Sequence, residues 1–333
     1  MPAFQAHLAT AVRLASGADR GWLEMRGRDT RDFLQRILTS DVRKLRAGGG
    51  QWSALLDGKG HWIAELMLFA WEDADGEVLG FDTPRACLDL LEASLDKFHF
   101  GEQVAWKRRT DSRLLVLGAG AAGALQAAGL PVPAPPQDGE AATRGFAATP
   151  DQAAGLRLLL QRPDHGQPCL ELLGDAAAVA ALAGELRAAG FGEAPAEELE
   201  RWRIQAGIAR HGVDFGAEDT LPESNEWRRA SLSKGCYAGQ EVVAKINTYG
   251  QAPWQLVRLR FDGATDMSGA RLLAEDGTNA GTVTSWALAA DGGHGVGLGK
   301  VRRKFALDGA RLACDRVGAQ DHARLMPQVR EFG

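Results

Sequence analysis

The sequence predicts an α+β region followed by a small antiparallel β-barrel. At 333 residues the chain is too long for one small core, so we expect two or three domains. Up to residue 249, amphipathic helical segments alternate with short strands. After Gly250 the chain becomes a series of short strands separated by Gly, Asp and Asn turns, as in a small barrel or sandwich. We therefore predict an α+β region over 1–249 and a barrel domain over 250–333.

The N-terminal elements follow from local periodicity. Alternation of apolar and polar residues predicts a strand at 22–27, and Phe33, Leu34, Ile37 and Leu38 then fall on one helical face. Asp29 or Thr30 is placed to cap that helix. Strands are predicted at 52–56, 62–69 and 78–81, and a helix over Arg85 to Phe98. Asp57-Gly58-Lys59-Gly60 separates the first two of these strands and predicts a tight hairpin.

The second half of the chain begins with a change in composition. Residues 118–150 are rich in Ala, Gly and Pro and predict an irregular surface excursion. A strand at 156–160 and helices at 175–189 and 196–206 are predicted to follow. Barrel strands are predicted at 256–261, 271–274, 280–286, 295–301 and 310–314.

Composition excludes several classes of function. The formal charge of −5 argues against direct nucleic-acid binding, which would need a basic field, and the short basic runs 107–109 and 302–304 are read as solvated surface. No segment has the apolar length of a signal peptide or of a membrane-spanning helix. The four cysteines, 87, 169, 236 and 314, are scattered, which argues against a zinc site or a disulfide framework. We therefore expect a cytoplasmic protein.

Two glycine motifs suggest nucleotide sites and are rejected on their context. Gly118-Ala119-Gly120-Ala121-Ala122-Gly123 follows a predicted strand, as in dinucleotide-binding folds, but runs into a proline cluster instead of a second parallel strand. We interpret it as a strand-to-helix corner. The segment 295–300 lacks the spacing of a phosphate loop, because Val301 stands where a hydroxyl is needed. We interpret it as a barrel strand with glycines that permit close packing.

The segment from Lys234 to Glu241, with the sequence KGCYAGQE, carries the strongest chemical signal. Its glycines predict a tight turn that presents Cys236 to solvent. Lys234, two residues earlier, is placed to favour the thiolate, which is the reactive and metal-binding form. The alternative is a buried structural cysteine in a glycine turn. Residue chemistry alone therefore predicts an exposed, activated thiol and no more.

The same segment resembles the signature of the YgfZ family, Lys-Gly-Cys-aromatic-x-Gly-Gln-Glu. The resembling residues here are Lys234, Gly235, Cys236, Tyr237, Gly239, Gln240 and Glu241. Further segments resemble the same family and extend the resemblance over most of the chain outside 118–150. They are Gly27 to Asp29, Asp32 to Gln35, Thr39 to Val42, Leu56 to Gly60, Arg203 to Ile208, Gly281 to Ser285 and Gly299 to Arg302.

This resemblance implies a fold and a function. The family is similar to the T-protein of the glycine cleavage system, an aminomethyltransferase. It implies two α+β folate-binding subdomains and a C-terminal β-barrel around a central pocket that takes tetrahydrofolate or a one-carbon derivative. It also implies a role in assembling or repairing iron–sulfur clusters in client enzymes, including radical enzymes that modify tRNA, with client enzymes or assembly proteins as partners. Cys236 is then the working residue, and Lys234 tunes its pKa.

The sequence departs from the T-protein pattern in two places and from the YgfZ family pattern in one. Where T-proteins have an Asp-Asp pair after the glycine hairpin, this chain has Ala64-Glu65, which argues against aminomethyl transfer because small shifts of reacting groups are costly. The pterin-binding glutamate aligns with Ser224, and either Glu223 or Glu226 is a substitute. Lys245 stands where the family usually has Arg and loses the bidentate fork. A folate-dependent one-carbon transferase and a scaffold without a ligand remain alternatives.

Overall fold

The computed structural model describes residues 12–132, 146–148, 155–162, 164–250, 252–316 and 322–326. Its helices are α1 Thr30–Ile37, α2 Leu88–Phe98, α3 Ala121–Ala127, α4 Ala176–Ala188, α5 Ala196–Gln205 and α6 Gln240–Tyr249. Its strands are β1 Arg13–Ser16, β2 Arg20–Arg26, β3 Gly50–Leu56, β4 Trp62–Asp73, β5 Gly76–Pro84, β6 Ala105–Arg109, β7 Ser112–Leu117, β8 Phe146–Ala148, β9 Leu156–Arg162, β10 Cys169–Gly174, β11 Gly192–Glu193, β12 Trp254–Phe261, β13 Arg271–Leu273, β14 Asn279–Leu288, β15 Gly295–Arg302, β16 Arg311–Cys314 and β17 His322–Leu325.

The first sheet is antiparallel, with strand order β3-β4-β5-β2-β6. Successive side chains of a strand point to opposite faces, and β4 shows the consequence. Leu66 and Leu68 join the core that the sheet shares with α1 and α2, whereas Phe69 and Trp71 join a second core on the other face. The predicted helix at 85–98 begins with a 3₁₀ turn, and α2 follows.

The second sheet has strand order β11-β1-β7-β10-β9-β8, and α3 and α4 pack on one of its faces. Its other face meets the first sheet through an apolar core and a buried ion network. Asp82 of β5 accepts hydrogen bonds from Arg20 at 2.7 Å and Arg113 at 2.6 Å, and Arg162 lies 2.6 Å away. Burial opposes ionisation, but these guanidinium groups hold the pKa of Asp82 below its usual range. The network therefore joins the two sheets through paired charges.

The glycine-rich segment 118–123 has no dinucleotide-binding context. The preceding strand β7 lies between β1 and β10, and both pairs are antiparallel. The helix that follows, α3, has seven residues. A dinucleotide fingerprint requires a parallel βαβ unit, so the interpretation as a strand-to-helix corner agrees with the structure. The rest of the predicted surface excursion lies largely outside the described residues.

The C-terminal strands close into a barrel with order β12-β15-β14-β13-β16-β17, which confirms the predicted antiparallel barrel. The glycines of β15 permit close packing, since a Cβ atom on Gly297 would lie 2.7 Å from the Phe261 ring and one on Gly299 would lie 2.7 Å from Leu259. Strand β17 was not predicted from the sequence.

A buried polar cluster attaches the barrel to the α+β region. Arg203 of α5 donates hydrogen bonds to Asp214 at 2.7 Å and to Ser285 of β14 at 2.8 Å. Asp214 also accepts from the hydroxyl groups of Thr284 at 2.6 Å and Ser285 at 2.7 Å. Two segments that are distant in sequence, 203–208 and 281–285, therefore meet in this cluster.

One local prediction is wrong in detail. Asp29 occupies the cap position of α1 but makes no side-chain cap hydrogen bond. Its carboxylate accepts a hydrogen bond from the backbone N–H of Gln103 at 2.7 Å instead. The Asp29 carboxylate therefore makes a tertiary hydrogen bond instead of the helix cap that the local pattern predicted.

Candidate ligand-binding site and cysteine loop

Cys236 lies in an exposed loop that leads into α6. Gly239 ends this loop in the left-handed region, with φ of 79°. A Cβ atom on Gly239 would lie 2.7 Å from the carbonyl oxygen of Asp57 and 2.8 Å from Cα of Gly60. Only glycine satisfies both the backbone angle and this close approach. The cysteine loop is therefore seated on the turn of the β3–β4 hairpin.

Lys234 is buried, and its ammonium group lies at the C-terminal end of α1. It donates hydrogen bonds to the backbone oxygens of Gln35 at 2.7 Å, Leu38 at 2.5 Å and Ser40 at 2.9 Å. These bonds use all three donors of an ammonium group and complement the negative end of the helix dipole. Burial lowers the pKa of Lys234 to about 8. Lys234 thus holds the start of the cysteine loop, and its effect on the Cys236 thiol stays a prediction.

Tyr237, next to Cys236, points into the protein. It belongs to the apolar core shared by β3, α5 and the barrel, and its ring lies 5.2 Å from the Lys234 ammonium. Burial raises the pKa of Tyr237 to about 12, and its hydroxyl has no hydrogen-bond partner among the described residues. The ring and the lysine on either side of Cys236 are both buried, so the loop has two internal anchors around an exposed thiol.

The remaining signature residues lie around the start of α6. Gly235 is exposed, and a Cβ atom there would meet nothing within 4 Å. Gln240 is the first residue of α6, and Glu241 in its first turn is favourable for the helix dipole. Lys245 is exposed one turn later. The structure thus brings Lys234, Cys236, Tyr237 and Glu241 into one loop-and-helix unit.

A cavity of about 180 Å³ lies between this α+β region and the barrel. On this measure one water needs only about 10–15 Å³, so the cavity holds far more than a single water. Its lining combines polar groups with apolar barrel residues, and the lining residues are Ala206, Gly207, Ala209, Ser224, Asn225, Glu226, Arg228, Leu256, Val257, Arg258 and Leu298. Asn225 has φ of 57°, a left-handed conformation that is uncommon outside glycine and that concentrates at functional sites.

The candidate pterin contacts fall into two groups. Glu226 is on the cavity wall, where Arg228 donates to it at 3.1 Å and Arg229 at 2.8 Å. Burial opposes ionisation, but these two guanidinium groups hold the pKa of Glu226 below its usual value. Glu223 closes a turn instead, because its carboxylate accepts from the backbone N–H and the hydroxyl of Thr220, both at 2.9 Å. Ser224 lines the cavity, but its hydroxyl donates to the Leu221 carbonyl at 2.8 Å.

Glu65 lies in a buried salt-bridge cluster. Its carboxylate accepts from Arg20 at 2.6 Å and lies 3.5 Å from Arg229. Ala64 points to the opposite face of β4 and is fully buried in the first core. The Ala64-Glu65 pair therefore presents one carboxylate, and that carboxylate is already paired with arginine.

Three residues near the cavity were missed from the sequence. Asn225 and Arg228 line it, and the indole of Trp52 lies beneath Arg228 at 4.3 Å and Arg229 at 4.4 Å. Such stacking holds a guanidinium group in place. The run Asn225-Glu226-Trp227-Arg228-Arg229 is dense in charge, but no local pattern shows which of these side chains face a cavity.

The buried Cys87 and the partly buried His211 form a close pair that was not predicted from the sequence. The thiol of Cys87 lies 3.4 Å from Nδ1 of His211, and burial raises the pKa of Cys87 to about 11. Burial lowers the pKa of His211. Both groups are thus held neutral, as in a structural hydrogen bond. No group of metal-ligating side chains was found in the described part of the chain.

Comparison with solved structures decides the fold. The glycine cleavage system aminomethyltransferase T from Bartonella henselae superposes with a TM-score of 0.84 over 97% of this chain and 87% of that chain, at 18% identity. The chain has the fold of the aminomethyltransferase T-protein. This fold contains the two sheets and the closed barrel described above, so the predicted fold class is confirmed.

Sequence comparison finds relatives with the same kind of name. A Halobacterium salinarum protein named as an aminomethyltransferase is 25% identical over 95% of this chain and 87% of its own length. A segment of 107 residues, 32% of this chain, is 29% identical to a chloroplastic protein of Arabidopsis thaliana named as a transferase. That segment covers 24% of the Arabidopsis protein. No family model matches the chain. Among the described residues, no helix has the length and apolar character needed to cross a bilayer.

Proposed function

We propose that this protein binds a reduced folate in the cavity between the α+β region and the barrel, and acts through the Cys236 loop in the assembly or repair of iron–sulfur clusters in client enzymes. The T-protein fold and the relatives named as aminomethyltransferases support the folate part. The exposed thiol, anchored on both sides, supports the second part. The resemblance of the 234–241 segment to the YgfZ signature links the two.

The folate proposal rests on the position of Glu226 on the cavity wall. The pyrimidine edge of a pterin presents adjacent N–H donors, and a carboxylate is a suitable acceptor for such a pair. Arg228 and Arg229 keep the Glu226 carboxylate ionised and oriented on the cavity wall. Leu256 and Leu298 supply apolar contact for the ring system. The residues on the cavity wall therefore fit a pterin ring. A reduced folate bound there would supply the chemistry of a one-carbon carrier.

The Cys236 thiol supplies a single ligand or nucleophile. Four-iron clusters generally need four protein ligands, so one cysteine does not hold such a cluster within this chain. We propose that the thiolate engages a cluster intermediate or a partner thiol transiently, with client enzymes or assembly proteins as partners. The tRNA-modifying radical enzymes and a cytoplasmic location belong to the same proposal.

The folate part is tested by calorimetry with tetrahydrofolate. We expect Glu226→Gln to weaken binding by about 10- to 100-fold, because a charged hydrogen-bond acceptor is lost. Glu223→Gln is the matched control, since Glu223 closes a turn with Thr220, and its affinity should stay within about twofold of wild type. Equal affinity of the wild type and Glu226→Gln for tetrahydrofolate would show that Glu226 does not bind the pterin.

The cluster part is tested in a deletion strain complemented with variants. Cys236→Ala should fail to restore the activity of cluster-dependent enzymes, and Ser233→Ala, which changes an exposed neighbour in the same loop, should restore it. Immunoblots must show equal protein levels. Full rescue by Cys236→Ala would contradict a role for the thiol.

Aminomethyl transfer is the second candidate function, and the names of the relatives favour it. The pairing of Glu65 with Arg20 and Arg229 argues against it, because a general base must be free to accept a proton. Formation of methylenetetrahydrofolate and ammonia from tetrahydrofolate and an aminomethyl donor by the purified protein would establish this alternative, and absence of turnover despite folate binding would favour the maturation role.

A further inference from the structure

A row of cations leads from the cavity along the outer face of the barrel. In the β12–β15 ladder, Arg258 is opposite Leu298, Leu256 is opposite Lys300, and Trp254 is opposite Arg302. Leu256, Arg258 and Leu298 line the cavity. Beyond these lining residues, the ladder carries Lys300 and then Arg302.

Strand alternation places these side chains on one face. Val257, Leu259 and Val301 point into the barrel core, whereas Leu256 joins the core between the barrel and the α+β region. Because successive residues alternate, Arg258 and Arg302 lie on the same outer face as Leu256. Four residues along a strand span about 13 Å, which is the distance from the level of Arg258 to that of Arg302.

The cations of the row are held in place. The Arg258 guanidinium donates to the Gln205 carbonyl at 3.0 Å, and its aliphatic part packs over Gly207, where a Cβ atom would lie 2.6 Å from Cδ. Arg302 lies 4.7 Å above the Trp254 ring.

The charge of the row is positive. Lys300 pairs with Asp219, but within the described portion of the chain neither Arg258 nor Arg302 is in a salt bridge with a carboxylate. The row therefore presents two cations without an anionic partner on a chain whose net charge is −5.

We propose that Arg258, Lys300 and Arg302 form a subsite for the oligo-γ-glutamate tail of the folate. The inference rests on the proposed folate site, because the row begins at that cavity. Each γ-linked unit adds a carboxylate and is longer than an ordinary extended residue of about 3.5 Å, so about two or three units cover the row. Guanidinium groups are suited to carboxylates, since they pair with them in a bidentate manner.

The test compares tetrahydrofolate monoglutamate with tetrahydrofolate pentaglutamate by calorimetry of the whole chain. We expect the pentaglutamate to bind about tenfold more tightly at 50 mM salt, with a smaller preference at 200 mM because exposed charge pairs are screened. Arg302→Gln should reduce the ratio of the two dissociation constants to about two. Lys107→Gln, which removes an exposed cation from the edge strand β6, should leave that ratio unchanged.

The outcomes separate this inference from the proposed function. Equal affinity of wild type for the two folates would overturn the tail subsite and keep the folate site. Failure of both folates to bind would overturn both proposals. An oligo-γ-glutamate peptide without the pterin that binds as tightly as the pentaglutamate folate would show a general polyanion surface and would also overturn the subsite. If Arg302→Gln unfolds at the same temperature as the wild type and keeps the same preference for the pentaglutamate, this row is not the location of the tail subsite.

Discussion

Gly239 and Gly60 are in direct backbone contact, because a Cβ atom on Gly239 would lie 2.8 Å from Cα of Gly60. One glycine ends the cysteine loop, and the other ends the turn of the β3–β4 hairpin. A Cβ atom on Gly60 would in turn lie 3.2 Å from Cβ of Val242 in α6. The position of the Cys236 thiol therefore depends on a hairpin far away in sequence.

Gly239→Ala is expected to destabilise the fold by about 2–4 kcal/mol. The left-handed backbone alone costs about 1–2 kcal/mol for an L-residue, and the contact with the hairpin adds to it. Urea unfolding measures the change. Gly235→Ala is the matched control in the same loop, since it has open space around it, and it should change stability by less than about 1 kcal/mol. Equal effects of the two substitutions would contradict the packed Gly239–Gly60 contact.

Lys234→Met is expected to reduce stability at pH 7 by about 1–3 kcal/mol, because three backbone oxygens at the end of α1 lose their donor. Lys245→Met, an exposed lysine on α6, is the control and should be near neutral.

The stability difference between wild type and Lys234→Met should also depend on pH. Burial lowers the pKa of Lys234 from 10.5 to about 8, while the carboxylate of Asp41 opposes this shift and Arg43 adds to it. Between pH 8 and 10.5 the unfolded wild type binds more protons than the folded state, so the stability of the wild type rises relative to the variant. Urea unfolding at pH 7, 8.5 and 10 measures this, and a difference that falls with pH would contradict the buried ammonium.

Thiol titration is expected to detect one reactive cysteine in the native protein. Cys236 is exposed, whereas Cys87, Cys169 and Cys314 are buried. Burial also raises the pKa of Cys87 to about 11 and that of Cys169 well above its usual value, which disfavours their thiolates. An aromatic disulfide reagent should therefore modify one thiol under native conditions and four in denaturant. Cys236→Ser should leave no fast-reacting thiol, and a remaining fast phase would contradict the placement of the other three.

Arg203→Ala is expected to destabilise the protein by about 3–5 kcal/mol, because it leaves Asp214 buried without its charged partner. Arg187→Ala removes an exposed pair with Glu193 and should change stability by less than about 1 kcal/mol. Thermal unfolding of both variants measures the contrast. A small effect of Arg203→Ala would show that this cluster is not needed to attach the barrel.

Much of the fold could be predicted from the sequence because its signals are local. The apolar run 62–69 after a glycine turn and the apolar face formed by Phe33, Leu34 and Ile37 depend only on neighbouring residues, and both predicted elements are present. The Asp29 cap failed because Gln103, which is remote in sequence, competes for its carboxylate. Strand β17 was missed because four residues, His322–Leu325, carry too little pattern to be recognised without their barrel partners.

The sequence by itself determined that Cys236 lies in a glycine loop and predicted that it is exposed, because turn chemistry and side-chain spacing are properties of adjacent residues, and the structure confirms the exposure. Tertiary structure alone decided the partners of that loop. Lys234 reaches backbone oxygens at the end of α1, Gly239 meets the hairpin, and Glu226 faces the cavity while Glu223 closes a turn. Such contacts join segments separated by up to about 200 residues, and packing of the whole chain, not local periodicity, selects which polar groups meet.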